Sequence, residues 1–536
     1  MAHPYPQGIP DTWRGMEDHW PCRLLHILSM TSIERDRNGF YGGVEKPSHN
    51  ILTYTWGRWK IRDQTAIHSP TIPVKGTSWE IPAVNEEHFT SAGFQAVINK
   101  MQEGGVDWLW VDIACIDQAD EALNAQEVGR QASIFRKARN VYVWLSRLST
   151  GTLQSAIGMI NKSGLDLAYH LLHELPGLPF EPMSRLSEAF ETLFGDPWFS
   201  SLWTLQEVIL RHDAKILSST GESVEWDENY PAFMSMIMNS CRNIYDDLDS
   251  LDKDLRSLKR TKDRQTADGL RLRDQITQLT THITHWGFYT VVVNNPNVQY
   301  GLAKYRRTSR DVDRIYAIMQ IYGLRVGKSA RPGDNPTLPD LVNEFAQAIV
   351  TSNPIIGQAF IHSVPPEPGL SWRITENSVV PQWLRICQDP KPLCSVMCDS
   401  PSSIQITGRF CSLSSLNNSG PHDAGMPTHG EVTIAADAIT GSVVYPAQRR
   451  SDQDPHGTFN YMMLNAAYGT NIGVLALGDV ASYRGREAIG LLVYPLGKEP
   501  GASRLEPLSC KRVGVCSIVP ETFRKAPWRE ITVSLD

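Results

Sequence analysis

The sequence predicts an α/β fold in its N-terminal part, followed by a helical region and a β-rich C-terminal domain. Up to about residue 226, short β-type runs alternate with helical ones, which favours parallel strands in one sheet with helices on both faces. From about 240 to 325 the chain turns helical and highly charged. After "VPPEPG" (364–369) the runs are short and β-type, and polar loops separate them, as is typical of a small sandwich or barrel.

The 536 residues are enough for two or three domains. We predict four segments along the chain: an extended arm (1–20), an α/β domain (21–230), a helical region (231–360) and a β-rich domain (370–536). The sequence shows no internal repeat, so a solenoid or a propeller is not expected.

Three runs predict the central strands of the α/β sheet. "NILTYTWG" (50–57) is typical of a strand that ends in a turn, and "NVYVWLS" (140–146) is typical of a buried strand. "VDWLWVDIACI" (106–116) is almost continuously apolar, which is the pattern of a strand buried on both faces. Because ligands bind beyond the carboxyl ends of parallel strands, we expect a site where these runs end.

Two apolar stripes mark the helical region. Their members recur at spacings of three and four residues: Leu248, Leu251, Leu255 and Leu258 in the first stripe, and Ile276, Leu279, Ile283 and Trp286 in the second. This spacing predicts two antiparallel helices that pack within the chain. A coiled-coil segment for oligomerisation is the alternative, but each stripe is short for a coiled coil.

Composition and charge narrow the class of protein. The net charge of −7 and the pI near 6.1 give no reason to expect nucleic acid or an anionic membrane as the main partner. No apolar run is long enough for a membrane span, and the N-terminal residues lack the pattern of a secretory signal. The nine cysteines are scattered and odd in number, which favours reduced thiols and a cytoplasmic location. Cys394 and Cys398 have no second pair beside them, so we expect no metal site.

Several strong catalytic motifs are absent from the sequence. It contains no G-x-x-x-x-G-K-[ST] loop, no G-x-G-x-x-G after a strand, no H-E-x-x-H and no G-x-S-x-G. A P-loop NTPase, a Rossmann dehydrogenase, a zincin and an α/β-hydrolase are therefore unsupported, and no cofactor is predicted.

Polar and aromatic residues cluster at three places, two of them at predicted strand ends. The clusters contain Trp56 and Gly57, then Asp112, Asp117 and Gln118, then Trp203 and Glu207. Each cluster has a structural alternative: the tryptophans as core residues, Asp117 as a cap, and Glu207 as the partner of Arg211 in a surface ion pair. The apolar neighbours of Glu207 leave few solvated positions around it, which argues against the ion pair.

Four boxes together resemble the fungal heterokaryon-incompatibility (HET) domain. "ILTYTWG" matches the opening Tyr-x-x-x-Ser-Tyr-x-Trp-Gly strand, with Thr53 in the serine position, and "WVDIACIDQ" (110–118) matches the Trp-Ile-Asp-Ala-x-Cys-Ile-Asn-Gln box. "VYVWLS" (141–146) matches the Val-x-Val-Trp-Leu-Gly strand, and "PWFSSLWTLQE" (197–207) matches the Pro-Trp-Phe-x-Arg-x-Trp-x-x-Gln-Glu box. The order and the spacing agree over residues 23 to about 226. "RRTSRDVDRIYAIMQIYGL" (306–324) and "KRVGVCSIV" (511–519) resemble tail segments of the same proteins.

The sequence departs from the family pattern at several positions. Asp117 replaces an asparagine, and Ser201 replaces the arginine of the last box, which removes an ion pair or an anion contact. The usual Glu-Arg pair is Leu123 and Asn124, and the usual Gln-Val is Glu127 and Val128. The apolar frame is kept, which is typical of a subfamily.

The HET domain is itself similar to TIR domains, so the resemblance implies a flavodoxin/TIR-like parallel sheet and a role in cell death. TIR enzymes carry a Ser-x-Trp-Cys-x-x-Glu helix whose glutamate supports cleavage of the nicotinamide–ribose bond of NAD. "SLWTLQE" (201–207) keeps the serine, the tryptophan and the glutamate. The resemblance therefore implies Glu207 as catalytic residue, NAD as substrate, and a pocket lined by these residues: Trp56, Gly57, Asp112, Asp117, Gln118 and Trp203.

Three functions follow as hypotheses. The first is an effector of fungal nonself recognition and programmed cell death, which the helical and β-rich regions regulate. The second is a non-catalytic module that self-associates as TIR adaptors do, with a homo-oligomer or another HET- or NLR-type protein as partner. The third is a HET-like enzyme of another pathway, such as fungal secondary metabolism.

Overall fold

The computed structural model describes residues 20–55, 72–81, 86, 88–102, 105–173, 178–256, 266–291, 293, 295–400, 403–417, 432–438, 458–482, 485–496 and 507–535. These residues form two compact units. The first unit comprises the described residues of 16–292 and 305–335, and the second those of 293–304 and 336–536. The sequence predicts boundaries at 230 and 360, whereas the first unit extends past 230 and also includes a segment from beyond 304. The predicted arm lies outside the described residues, except for residue 20.

The first unit is built on a mixed six-stranded sheet. Its strands and two short hairpins are β1 (Arg23–His26), β2 (Thr31–Glu34), β3 (Phe40–Tyr41), β4 (Val44–Glu45), β5 (His49–Thr53), β6 (Trp108–Trp110), β7 (Val141–Trp144), β8 (Lys215–Leu217), β9 (Glu225–Asp227) and β10 (Tyr230–Pro231). The sheet order is β2-β1-β6-β5-β7-β8. The strands β6, β5, β7 and β8 pair in parallel, and β1 pairs antiparallel with both of its neighbours. The predicted parallel sheet is confirmed, with an antiparallel hairpin at one edge.

Helices connect the strands of this sheet and follow it in the chain. They are α1 (Ser91–Lys100), α2 (Asp112–Cys115), α3 (Glu121–Val128), α4 (Gln131–Lys137), α5 (Thr150–Leu172), α6 (Phe180–Phe194), α7 (Leu202–Leu210), α8 (Met234–Arg256) and α9 (Ala267–Trp286). Side-chain caps at Thr90, Ser149 and Thr266 begin α1, α5 and α9. Gly287, with φ of 80°, ends α9 in the left-handed conformation that favours glycine.

The segment 305–335 completes the first unit with short elements only. They are the helix Asp313–Tyr316 and the 3₁₀ turns Met319–Tyr322 and Gly327–Ser329. A further 3₁₀ turn, Pro197–Ser200, leads into α7. The second half of the unit is thus helical, as predicted.

The apolar run 106–116 is not one long strand. It contributes only the three residues of β6, and a helical turn begins at Asp112. The Asp112 carboxylate accepts a hydrogen bond of 2.7 Å from the amide of Ile113, which favours a turn where apolar periodicity alone predicts an extended chain. The strand therefore ends just before the polar residues of the box.

The core of the first unit lies on both faces of the parallel strands. Every residue of β5, β6 and β7 is buried, as the sequence predicts for strands covered on two sides. The first apolar stripe is buried in α8 and the second in α9, through these residues: Leu248, Leu251, Leu255, Ile276, Leu279 and Ile283. Leu258 lies outside the described residues.

The strand order creates a switch point in the parallel part of the sheet. Across the sheet these four strands lie in the order β6, β5, β7, β8, so the first strand in the chain, β5, lies between the second, β6, and the third, β7. The connections after β5 and after β7 therefore leave in opposite directions, which is the arrangement at which open α/β sheets usually bind ligands. A ligand site is therefore expected beside the end of β5.

The second unit is β-rich and barrel-like. Its strands are β11 (Ile361–His362), β12 (Ser378–Val379), β13 (Gln388–Pro392), β14 (Ser395–Ser400), β15 (Ser403–Ser412), β16 (Val432–Ala436), β17 (Gly473–Ser482), β18 (Gly485–Pro495), β19 (Leu508–Ile518) and β20 (Arg529–Leu535). The path β17-β18-β19-β20-β15 closes because β15 also pairs with β17. Of the predicted sandwich or barrel, the barrel is the closer description.

Helices and one buried ion pair complete the second unit. The helices are Pro296–Tyr300, Leu338–Ser352, Pro354–Gln358, Leu413–Asn417, Thr458–Tyr468 and Pro520–Lys525. Arg512 of β19 donates two hydrogen bonds of 2.7 Å to Asp437, which follows β16, and both side chains are buried. Among the described residues, no helix is both long enough and apolar enough to cross a membrane.

Candidate active site at the carboxyl ends of the parallel strands

Three chain segments of the first unit meet at the switch point. Thr53 is the last residue of β5, and Tyr54 follows it. Asp112 lies two residues after the end of β6. Glu207 comes from the middle of α7.

A chain of hydrogen bonds holds Glu207 against the end of β5. The hydroxyl of Thr53 donates to Oε2 of Glu207, and the indole Nε1 of Trp198 donates to Oγ1 of Thr53 at 2.9 Å. An indole can only donate, so the single hydroxyl proton of Thr53 is directed at the carboxylate. Thr53 and Trp198 are both buried, which fixes the carboxyl group of Glu207 in one place.

The electrostatic environment of Glu207 favours its neutral form. Burial raises the pKa of this carboxyl to about 8, against the lowering effect of the bond from Thr53, and the nearby charge of Asp112 raises the pKa further. A carboxyl with such a pKa changes its protonation state near neutral pH. Strongly shifted carboxyl groups in a crevice are typical of functional sites.

Arg211 is not the partner of Glu207. Its guanidinium donates to Asp213 at 2.7 Å and to the main-chain carbonyls of Phe135 and Ala138 at 2.8 Å, at the end of α4. The alternative of a surface ion pair at the i, i+4 spacing is therefore not what the structure shows. No cation contributes to the pKa shift of Glu207 among the described residues.

Tyr54 adds a buried hydroxyl beside the two carboxyl groups. Its ring packs against Phe89, Phe94 and Trp144, with centroid distances of 5.6 to 5.9 Å. The side chain is 7% exposed, and its hydroxyl has no hydrogen-bond partner of normal geometry. Burial and the charge of Asp112 raise the pKa of this hydroxyl well above its usual value. A side-chain hydrogen bond with Asp112 also raises this pKa, so Asp112 is the polar neighbour of the buried hydroxyl.

The loop after Asp112 is held by its own polar side chains. Gln118 donates from Nε2 to the carbonyl of Ile116 at 2.9 Å and to that of Asp112 at 3.3 Å. Oδ1 of Asp117 accepts from the amides of Ala119 and Asp120, both at 2.8 Å. These bonds occupy Asp117 and Gln118 in the turn, and their predicted contact with a substrate remains a prediction.

An open groove of about 580 Å³ lies beside this loop. Its lining residues are Asp117, Ala119, Asp120, Glu121, Ala122, Lys328, Pro332, Gly333, Asp334 and Asn335. The ammonium group of Lys328 pairs with Glu121 at 2.5 Å, across the groove from one segment to the other. Within the described residues, no group of histidine, cysteine or acidic side chains has the arrangement needed to hold a metal ion.

The remaining predicted site residues have other surroundings. The indole of Trp203 donates to Oδ2 of Asp313 at 3.3 Å, so its polar atom is directed at the segment 305–335. Trp56 and Gly57 lie outside the described residues. The indole that supports Glu207 through Thr53 is Trp198, which sequence reasoning missed although it stands in the same box.

The candidate site lies within a segment that matches the model of a known family. Residues 49–207 match the family model described as Heterokaryon incompatibility protein (HET). The match begins at the first residue of β5 and ends at Glu207. We call residues 49–207 the HET segment; it contains Thr53, Asp112 and Trp198 as well as Glu207. It covers less than half of the chain, and α8, α9 and residues 305–335 of the first unit lie outside it. No curated protein and no solved structure matches the chain.

Proposed function

We propose that the HET segment is the catalytic part of a nonself-recognition and cell-death effector that cleaves NAD⁺ at its nicotinamide–ribose bond. The observation that carries this proposal is the half-buried Glu207 carboxyl group at the end of a parallel strand, held by Thr53 and close to Asp112. The similarity of the last box to the glutamate helix of TIR enzymes supports the choice of NAD⁺. We also propose that the protein acts in the cytoplasm, where this dinucleotide is abundant.

The reaction needs negative charge beside the ribose. As the glycosidic bond lengthens, nicotinamide leaves as a neutral molecule and the ribose develops oxocarbenium character. The ionised carboxylate of Glu207 stabilises this positive charge in a site from which water is partly excluded. A water molecule then adds to the anomeric carbon and releases a proton, which gives ADP-ribose, nicotinamide and H⁺.

The neighbouring groups have supporting roles in this proposal. The hydroxyl of Thr53 orients Glu207, and Trp198 orients Thr53. Asp112 adds a second negative charge that favours a cationic substrate, and the hydroxyl of Tyr54, which lies beside Asp112, would bond the ribose. The ring of Trp203 or Trp56 would stack on the pyridinium cation, since aromatic faces attract cations.

The test is nicotinamide release by the purified full-length protein. We expect Glu207→Gln to lower kcat/KM at least about 100-fold, because loss of one group that stabilises transition-state charge costs this much in enzymes. Glu188→Gln is the matched control, since Glu188 is exposed on α6 and the substitution removes the same charge.

Two results would contradict the proposal. Equal turnover by the wild type and Glu207→Gln would reject Glu207 as the catalytic residue. No loss of NAD⁺ in the presence of the wild-type protein would reject the reaction and favour a non-catalytic signalling module.

A further inference from the structure

Helix α7 depends on another part of the chain for its N-terminal hydrogen bonds. Ser201 precedes the helix, but its side chain makes no capping bond. Instead the carbonyl of Arg307 accepts from the amide of Leu202 at 2.9 Å, and the amide of Arg307 donates to the carbonyl of Ser200 at 2.8 Å. The first amides of a helix need partners from outside it, and residues 306–307 supply one of them here.

A buried arginine reinforces this connection. Arg306 is 2% exposed, and it donates to the carbonyl of Ser201 at 3.4 Å and to that of Trp286 at 3.1 Å. It thereby joins the start of α7 to the end of α9. The Trp286 carbonyl lies in the last turn of α9, where carbonyls lack partners within the helix. The Ser201 carbonyl also accepts from the hydroxyl of Thr204 at 3.0 Å.

Two more contacts follow along α7. Asp313 accepts from the indole of Trp203 at 3.3 Å and from the hydroxyl of Thr308 at 3.1 Å, and it is itself buried. One turn further, Oε1 of Gln206 accepts from the amide of Gln320 at 3.1 Å. Gln206 also donates to Gln131 of α4 at 2.7 Å.

These contacts fix α7 independently of the bond between Glu207 and Thr53. Leu202 fixes the start of the helix, Trp203 fixes its first turn, and Gln206 stands directly before Glu207 in the chain. The bonds reach three residues between Leu202 and Gln206, which lie in the first half of α7, so they resist both rotation and sliding of the helix. The segment that supplies them lies outside the HET segment.

We propose that residues 306–320 are a positioning segment, which sets the place of the Glu207 carboxyl group relative to Thr53 and Asp112. The inference rests on the proposed function for its catalytic consequence, but its structural part stands on the contacts alone. It gives Arg306, Asp313 and Gln320 a role through α7, without contact with the substrate. A displacement of about 1 Å in a catalytic group is enough to lower a rate by about 100-fold.

The test compares three variants of the full-length protein. Asp313→Ala removes the acceptor of Trp203 and Thr308, whereas Asp313→Asn keeps an acceptor oxygen of the same shape. Asp311→Ala is the control, because Asp311 is exposed and only two residues away. Hydrogen exchange of peptides that cover α7 reports on the helix without any need for activity, and nicotinamide release reports on Glu207.

The expected result distinguishes positioning from general damage. In Asp313→Ala, amide exchange in α7 becomes about tenfold faster, since local stability is lost there. At the same time kcat falls about 10- to 100-fold with little change in KM. Asp313→Asn restores both properties, and Asp311→Ala behaves like the wild type. If Asp313→Ala does not fold, Thr308→Val removes one of the same bonds and gives a smaller change in the same direction.

Unchanged exchange in α7 for both Asp313→Ala and Thr308→Val would overturn the inference. This result is separable from failure of the proposed function. A wild-type protein that never cleaves NAD⁺ rejects the reaction, while the exchange measurement still decides whether residues 306–320 hold α7.

Discussion

The acidic loop after β6 and the acidic residue of α7 use the same functional group in opposite ways. Asp117 and Asp120 each accept two amide hydrogen bonds, at 2.8 to 3.0 Å, and lie at the exposed turn before α3. Glu207 accepts one bond from a side-chain hydroxyl and has another carboxylate nearby. The loop acids are bonded to main-chain amides, whereas Glu207 is costly to ionise because it is buried.

This difference indicates which carboxyl groups are available to act on a ligand. A carboxylate that satisfies main-chain amides lowers the free energy of the folded state and has little freedom to act on a ligand. A raised pKa means that the ionised carboxylate is destabilised in the folded protein, and a bound cationic ligand stabilises it. This comparison supports our proposal of Glu207 as a site residue, whereas Asp120 is a helix cap.

The largest expected effect that tests this comparison is the pH dependence of cleavage. In the proposed reaction the free protein must carry ionised Glu207 to stabilise the ribose cation, and burial raises the pKa of Glu207 to about 8. We therefore expect kcat/KM for NAD⁺ to rise about 50-fold between pH 6 and pH 8, since kcat/KM follows the ionisation of the free enzyme. Initial rates at low substrate concentration measure this profile.

Asp112→Asn sharpens the same measurement. The negative charge of Asp112 raises the pKa of Glu207, so the substitution should shift the acid limb of the pH profile of kcat/KM to lower pH. Asp117→Asn is the matched control, because Asp117 does not contribute to that pKa. Two results would contradict this explanation of the pKa. The acid limb could stay at the same pH in Asp112→Asn, or it could shift equally in Asp117→Asn.

A second effect, of intermediate size, is on stability. The pKa of Glu207 is about 8 in the folded state and near 4.5 in the unfolded state. Protonated Glu207 therefore contributes fully to stability below pH 4.5, and this contribution is lost as the pH rises through about 8. We expect Glu207→Gln to increase the free energy of unfolding at pH 8.5 by about 2 kcal/mol, a value discounted because the side chain is half-buried. At pH 4 the gain should vanish.

Urea unfolding of the wild type and Glu207→Gln at both pH values measures this effect. Glu188→Gln serves again as the control, because an exposed acid changes little at either pH. A variant that is less stable than the wild type at pH 8.5 would show that ionised Glu207 stabilises the fold, as the loop acids do.

The smallest expected effect is on the helix cap. Asp120 accepts from the amides of Ala122 and Leu123 at the start of α3. Asp120→Ala should lower the free energy of unfolding by about 1 kcal/mol, the usual loss when a capping side chain is removed. Asp120→Asn should retain most of the stability, and neither variant should alter kcat/KM more than about twofold. A large loss of activity in both variants would place Asp120 in the site.

Sequence patterns predicted the elements around the site better than its contacts. The strands β5 (His49–Thr53) and β7 (Val141–Trp144) overlap the predicted runs 50–57 and 140–146, and the glutamate helix is α7, since local patterns follow burial. The box at 106–116 was predicted as strand throughout, although Asp112 begins a helical turn there. Apolar periodicity does not show where a side chain accepts a hydrogen bond from a main-chain amide and so ends a strand.

The contacts of particular side chains were less predictable. Trp203 was chosen as the indole beside Glu207, but Trp198 supports Glu207 through Thr53, and Trp203 bonds Asp313. Both tryptophans stand in one box, and the sequence does not show which of them turns towards β5. Tyr54 lies in the same "ILTYTWG" strand as Thr53, but the sequence alone does not show that its hydroxyl is buried beside Asp112.

The amino-acid sequence alone predicts that parallel strands end in polar boxes and that an acidic residue stands among apolar ones in a helix. These are local properties, which follow from the period of burial and from residue type. Three relations are visible only in the folded chain: Thr53 donates to Glu207, Asp112 lies near enough to raise the pKa of Glu207, and residues 306–320 bond to α7. Those relations join residues far apart in the chain, and their energies depend on distances and burial that arise when the chain folds.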